Sequence, residues 1–212
     1  MPPLDFLRIP PKSYLQLATI GIDGNPRVRI ITSRGYIGDT LPDGSPNPEF
    51  SIDAAQKALL RFTTDLRTDK IGEIRKNPQV EALYWSDNMR EQFRLRGQVY
   101  LLSENNEGTN DPLPPYPSKH SWKEEFDMYW NYFLKPEWRV YWTGPCPGLP
   151  KSASSQSPIA AEILLSESKG NFCIGILEIN EVDWVKLSKD GNRRIKISRN
   201  KSMEWTQQEL NP

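Results

Sequence analysis

The apolar stretches between residues 28 and 97 carry an unusual set of cationic, amide and hydroxyl side chains. They read V-R-I-I-T-S-R-G at 28–35, L-R-F-T-T-D-L-R-T-D-K at 60–70, E-A-L-Y-W at 81–85 and E-Q-F-R-L-R-G at 91–97. Arg, Lys and Gln are seldom set against a core without a partner. Their repetition along strand-like runs predicts an anionic, polar group seated against this part of the fold.

Arg29 and Lys70 carry the sharpest chemistry. A phosphate monoester with roughly two negative charges is well held by a planar guanidinium, an ammonium point charge and hydroxyl donors. Thr63 and Thr64 end a strand, Thr68 opens a helix, and Lys70 lies in that helix's first turn, where the dipole also favours an anion. The other reading of the same spacing is a set of solvated charges at a strand end and a helix cap. Arg34 and Gln92 add donors suited to the pyrimidine edge of a flavin ring, where a positive charge favours reduction. Arg34 lies five residues from Arg29, so in a regular strand the two face opposite ways. A bend or bulge is needed for both to reach one ligand.

The elements that must position these residues are mostly strands. Residues 14–22 and 27–35 form a hairpin around D-G-N-P, with Gly24 available for a positive φ. Residues 38–50 are a Pro/Gly/Asp loop. Ser51 caps a helical turn through residue 58, and a strand follows at 59–64. Thr68 caps a short helix with Ile71 and Ile74 on one face, ended by Asn77-Pro78. Residues 80–85 and 93–102 are strands, the second with Phe93, Leu95, Val99 and Leu101 facing inward. Residues 103–119 form a long loop. Ser121 and Glu124 then make a capping box before an aromatic stripe of Trp122, Phe126, Tyr129, Trp130 and Phe133. Core packing is one reading of that stripe, and a wall for a substrate or dimer partner is the other. Residues 143–158 are irregular, with a helix expected over 159–168 behind Ser157. Strands follow at 172–179, 182–187 and 194–198, with Trp205 beyond them. Roughly seven strands with few helices and no crossover spacing point to a mainly β fold with peripheral helices, an antiparallel barrel.

The 212 residues suit one domain, with a core over 14–102 and 138–212 and a variable segment at 103–137. Lys plus Arg and Asp plus Glu stand at 27 each, so no global field draws nucleic acid or an anionic membrane surface. The N-terminus lacks the apolar run of a secretory signal, and no run approaches the ~18 apolar residues of a membrane helix. Two cysteines, Cys146 and Cys173, fit a reducing compartment and form no metal-spacing motif. A cytoplasmic protein with no metal site is expected.

Taken in order, R-x-x-x-x-[KR], F-x-T at a strand end, [ST]-x-K before N-P, and E-Q-F-R-x-x-G resemble the pyridoxamine 5′-phosphate oxidase family. The closest likeness is to its FMN-binding, oxidase-like branch. The resemblance covers residues 15–102, with weaker echoes in A-S-S-Q-S at 153–157 and in the tail at 183–212. It implies an antiparallel split β-barrel, a homodimer with FMN at the interface, and a small-molecule substrate such as a B6 vitamer phosphate. Carried over by residue, it implies that Arg29, Lys70 and Thr68 bind the FMN phosphate. Thr63, Thr64, Arg34 and Gln92 would line the ribityl chain and ring, with Ile30, Ile31 and Thr32 counted on the same strand. Gln156 and Ser157 would reach FMN from the partner subunit, and Arg193 and Arg194 would meet the substrate.

This chain also departs from the family. Asp69 stands where a basic residue is usual, which leaves Arg67 as the candidate replacement charge. Arg193-Arg194-Ile195 lacks the histidine of the substrate signature, Trp184 is off register for the flavin tryptophan, and 103–150 does not align. The expected function is an FMN-dependent oxidoreductase resembling pyridoxamine/pyridoxine 5′-phosphate oxidase. The alternative is a non-catalytic flavin-binding or carrier protein of the same fold. A third reading places a deazaflavin or heme in the barrel, heme being the poorer fit with His120 as the lone histidine.

Overall fold

The fold was analysed in a computed structural model, which describes residues 7, 9–41, 43–48, 59–106, 111–114, 121–150, 168–200, 202 and 204–212. Among these residues eight strands run in chain order: β1 (Tyr14–Ile20), β2 (Pro26–Tyr36), β3 (Leu59–Asp65), β4 (Gln79–Ser86), β5 (Glu91–Ser103), β6 (Phe172–Lys186), β7 (Arg193–Arg199) and β8 (Trp205–Leu210). Helix α1 (Asp69–Lys76) joins β3 to β4, and α2 (Trp122–Met128) follows β5. Their spatial order is β3-β2-β1-β4-β5-β6-β7-β8, with β3 also paired to β6. Every one of these pairings is antiparallel. Six strands therefore close a barrel, and β7 and β8 extend from it as a wing. The expected mainly β split barrel is what the chain forms.

Alternation sets the two sides of the wall. Leu15 and Leu17 of β1, Ile31 of β2, Phe62 of β3 and Phe93 and Leu95 of β5 fill the interior with Ile71 and Ile74 of α1. Burial of each such side chain contributes roughly 1.5–3 kcal/mol. A second cluster lies outside the wall, where Leu59, Leu102, Ile174 and Ile176 meet Phe126, Tyr129 and Trp130. The aromatic stripe thus packs mainly against the barrel, although Phe133 is exposed. Its helix is tipped by a π-helical turn (Tyr129–Phe133), followed by a 3₁₀ helix (Pro136–Trp142). Ser121 Oγ accepts from the Glu124 amide at 3.2 Å, the N-terminal half of the expected box.

Two expectations need correction. The strands expected at 172–179 and 182–187 are one continuous strand, β6, because Asn180 and Glu181 do not turn. Asn180 is the unpaired extra residue of a bulge and accepts from Arg199, while Glu181, opposite Arg96, is an outward ladder position that pairs with Arg96 and Lys196. A register shift after Arg96 in β5 absorbs the bend. Gly97 is required there, since a Cβ would lie 1.8 Å from the Glu178 carbonyl oxygen. Strand β8 was missed: its W-T-Q-Q-E-L has no apolar alternation and is held as an edge by pairing with β7. The helical turn expected at 51–58 and most of the helix expected at 159–168 lie outside the described residues.

Candidate functional site

The structure sorts the predicted residues into two clusters, one on each side of the barrel wall. The first lies where β2, β3 and α1 meet. Lys70 Nζ donates to Thr64 Oγ1 at 3.1 Å and to Thr68 Oγ1 at 2.9 Å. Thr68 sits at the N-cap of α1, yet its hydroxyl donates to the Asp65 carbonyl at 2.7 Å instead of capping the helix. The hydroxyl is thereby turned toward the ammonium. Burial, and then the nearby Arg29 charge, hold the Lys70 pKa below the ordinary lysine value. Lys70 has no carboxylate partner among the described residues.

Arg29 differs from expectation. Paired with Leu17 across the ladder, it lies on the barrel-interior face of β2. Its Nη2 donates to Glu73 Oε2 of α1 at 2.6 Å, and its Nη1 contacts Thr19 Oγ1. Arg61, Arg67 and Arg94 follow the same pattern, each answered by an acid within the chain: Glu125 and Asp39, Asp65, and Asp183. Each of these four arginines therefore already has an acid within the chain. Arg67 also donates to the Gly144 carbonyl at 2.7 Å, so it is a loop tether and not the replacement charge for Asp69. Asp69 itself is exposed in the first turn of α1.

The second cluster lines a cavity of about 520 Å³ outside the barrel wall. Arg34 and Thr63 stand side by side there, with Arg34 Nε donating to Thr63 Oγ1 at 3.3 Å. As the alternation required, Arg29 and Arg34 face opposite sides of β2. The irregularity in the β2–β3 register falls between Ser33 and Tyr36, with Gly35 at φ 83°, too late to bring Arg34 round. Thr32, Tyr14, Tyr129 and Trp138 add walls, and Lys12 and Lys135 add cations. Arg34, Lys12 and Lys135 have no carboxylate partner among the described residues. Adjacent Thr63 and Thr64 place one hydroxyl in each cluster, on opposite faces of β3.

A buried ion cluster that sequence reasoning missed shapes this cavity. Arg61, 1% exposed, bonds Glu125 of α2 and Asp39 of the loop after β2. Its guanidinium lies 4.8 Å from the centre of the Tyr129 ring. Tyr129 in turn donates its hydroxyl to the Arg34 carbonyl at 2.6 Å. Burial pushes the Tyr129 pKa up to about 12, so it stays a neutral donor. The signal was an arginine inside L-R-F; what the sequence hid was that its acids lie far away in the chain.

Other predicted residues fall elsewhere. Ile31 is core, 5% exposed, and Ile30 is exposed on the outer face. Gln92 pairs with Trp85 and Val185 across the ladders, beyond β1 and β4 from Arg34, and joins neither cluster within one chain. Arg194 is bound to Asp183 at 2.8 Å and Arg193 to Glu209 at 3.4 Å, both on the wing and away from the cavity-lining residues. Gln156 and Ser157 lie outside the described residues. Among those described, no group of three or more His, Cys, Asp or Glu could hold a metal, and no helix is long and apolar enough to cross a membrane.

The donor set suits a phosphorylated flavin: an ammonium flanked by hydroxyls, then an arginine and aromatic walls. Comparison with known proteins agrees. Residues 7–103 match the family described as pyridoxamine 5′-phosphate oxidase, FMN-binding domain. Pyridoxine/pyridoxamine 5′-phosphate oxidase 2 of Arabidopsis thaliana is 27% identical over 210 residues, covering 94% of this chain and 87% of that protein. A pyridoxamine 5′-phosphate oxidase-related, FMN-binding protein of Nostoc punctiforme superposes with a TM-score of 0.66 at 26% identity, covering 95% of this chain and 89% of that one. PhzG of Burkholderia lata, solved with tetrahydrophenazine-1-carboxylic acid, shares the fold with a TM-score of 0.58 at 18% identity, covering 99% and 87%. With the barrel and the donor set in place, the chain resembles the FMN-binding split barrels of the pyridoxamine 5′-phosphate oxidase family, with the family match confined to residues 7–103.

Proposed function

We propose that this protein is an FMN-dependent oxidoreductase whose substrate is a small planar anion, with pyridoxamine or pyridoxine 5′-phosphate the first to test. The carrying observations are the cavity, where aromatic walls meet Arg34, Lys12 and Lys135, none with a carboxylate partner among the described residues, and the Lys70–Thr64–Thr68 cradle at the end of β3. In this reading Lys70 and the two threonines hold the FMN phosphate, while Arg34 and Thr63 hold the polar side of the ring. FMN held there would supply two-electron oxidation of the substrate, with oxygen or another acceptor taking the electrons. The chain's own work is orientation, charge compensation and exclusion of water by Tyr129 and Trp138.

We further propose a homodimer. Tyr14, Val28 and Ile30 are 68%, 71% and 64% exposed on neighbouring positions of β1 and β2, an apolar outer face that a second copy would cover. The dimer would also give Gln92 and the wing residues a route to the partner's site. A second reading, a flavin carrier without turnover, draws support from Arg193 and Arg194, which are both engaged by acids.

The test begins with the visible spectrum of the protein after FMN addition and gel filtration. Retained flavin bands followed by oxidation of pyridoxine 5′-phosphate support the enzyme. Retained bands without turnover of any B6 phosphate support the carrier, and a colourless protein refutes both.

A further inference from the structure

Glu73 stands out among groups the proposed chemistry does not use. It projects from α1 into the barrel end and is 5% exposed. It accepts from Thr19 Oγ1 at 2.6 Å and from Arg29 Nη2 at 2.6 Å. A carboxylate so placed is expensive to desolvate unless cations answer it. Arg29 answers it directly, and Lys70 lies within the electrostatic reach of both. The guanidinium is not consumed by this pairing. Its Nη1 goes to Thr19 and, at 3.4 Å, to the Leu17 carbonyl, while 22% of the side chain remains exposed. The cluster therefore holds two cations, Arg29 and Lys70, with the Glu73 carboxylate bonded to Arg29 and the Asp65 and Asp69 carboxylates also acting on Lys70.

We infer that Glu73 is an internal counter-ion that occupies Arg29 in place of a cofactor phosphate, and so limits the preference of the site for phosphorylated over unphosphorylated flavin. This rests on the cradle reading above. In the empty protein the carboxylate relieves repulsion between Arg29 and Lys70. When a phosphate with close to two negative charges enters, that same carboxylate repels it and shares the guanidinium with it. Glu73 is a positioning residue for Arg29, and its effect is carried by its charge rather than by its shape.

The experiment compares FMN and riboflavin affinities, by quenching of flavin fluorescence, in the wild type and in Glu73→Gln. The amide keeps an acceptor for Thr19 and Arg29 but removes the charge. FMN should tighten about five- to tenfold while riboflavin stays within about twofold, as one charge near a partly exposed phosphate requires. Inorganic phosphate should also raise the melting temperature of the empty variant more than that of the wild type. A parallel shift of both flavins, or an FMN affinity that is unchanged or weaker beside unchanged riboflavin, overturns the inference and leaves the cradle standing. A wild type that binds both flavins equally overturns the cradle itself, and the inference with it. Glu73→Asp draws the carboxylate back by one methylene; it should move FMN in the same direction by less, and it decides the matter if the glutamine variant does not fold.

Discussion

Lys70 is the residue on which the proposed cofactor site turns. Removing its ammonium by Lys70→Ala should weaken FMN by at least tenfold and riboflavin far less, since riboflavin lacks the phosphate. Equal losses, read by the same fluorescence titration, would take Lys70 out of that role. Its depressed pKa adds a pH signature. Bound phosphate favours the charged amine, so FMN affinity should fall as pH rises through the depressed value, earlier than an ordinary lysine would dictate. Riboflavin affinity should stay flat over that window. Stability of the empty protein runs the other way: between the depressed and ordinary values the unfolded chain holds the extra proton, so stability rises with pH there. The threonines and Lys70 were legible in the sequence because strand end, helix start and lysine are local in the chain. The acids answering Arg29 and Arg61 were not, because Glu73 and Glu125 come from helices whose docking on the barrel no local pattern records.

At the scale of elements, the buried triad of Arg61, Glu125 and Asp39 fastens α2 and the loop after β2 to the wall. Cutting it at Arg61 leaves two acids facing a low-dielectric interior. Arg61→Ala should cost about 3–5 kcal/mol in chemical denaturation. A double change to Arg61→Leu and Glu125→Leu should recover part of that loss, because it removes both charges together. If the single variant loses less than about 1 kcal/mol, the triad is not what fixes the helix. Strand alternation made β1, β2, β4 and β5 readable, and the stop at Asn77-Pro78 made α1 readable. The break expected inside β6 was wrong because N-E reads as a turn only when its cross-strand arginines and lysine are unseen. The edge strand β8 left no apolar pattern to read.

For the whole molecule, the exposed outer face of β1 and β2 should decide the assembly. Ile30→Arg places a charge at the middle of that apolar face without touching the interior, since Ile30 is 64% exposed. Sedimentation should show a dimer for the wild type and a monomer for the variant, with unchanged far-ultraviolet circular dichroism. FMN retention should fall alongside if a second copy completes the site. A wild type that sediments as a monomer at micromolar concentration removes the dimer from the proposal.

The seam between β3 and β6 carries a consequence for how the chain is made. Thr63 faces Ile174 across it, so the barrel closes through partners more than a hundred residues apart in sequence. The first five strands can pair before β6 exists, β1–β2 and β4–β5 as local hairpins, but β3 and β5 each keep one open edge until β6 has been synthesised. Gly175 must then pass beneath the ring of Phe62, where a Cβ would lie 2.1 Å from the ring edge. On a ribosome, the Thr63–Thr64 side of the flavin site is therefore among the last parts to be built, and chains cut short before residue 172 would present an unpaired strand edge to their neighbours.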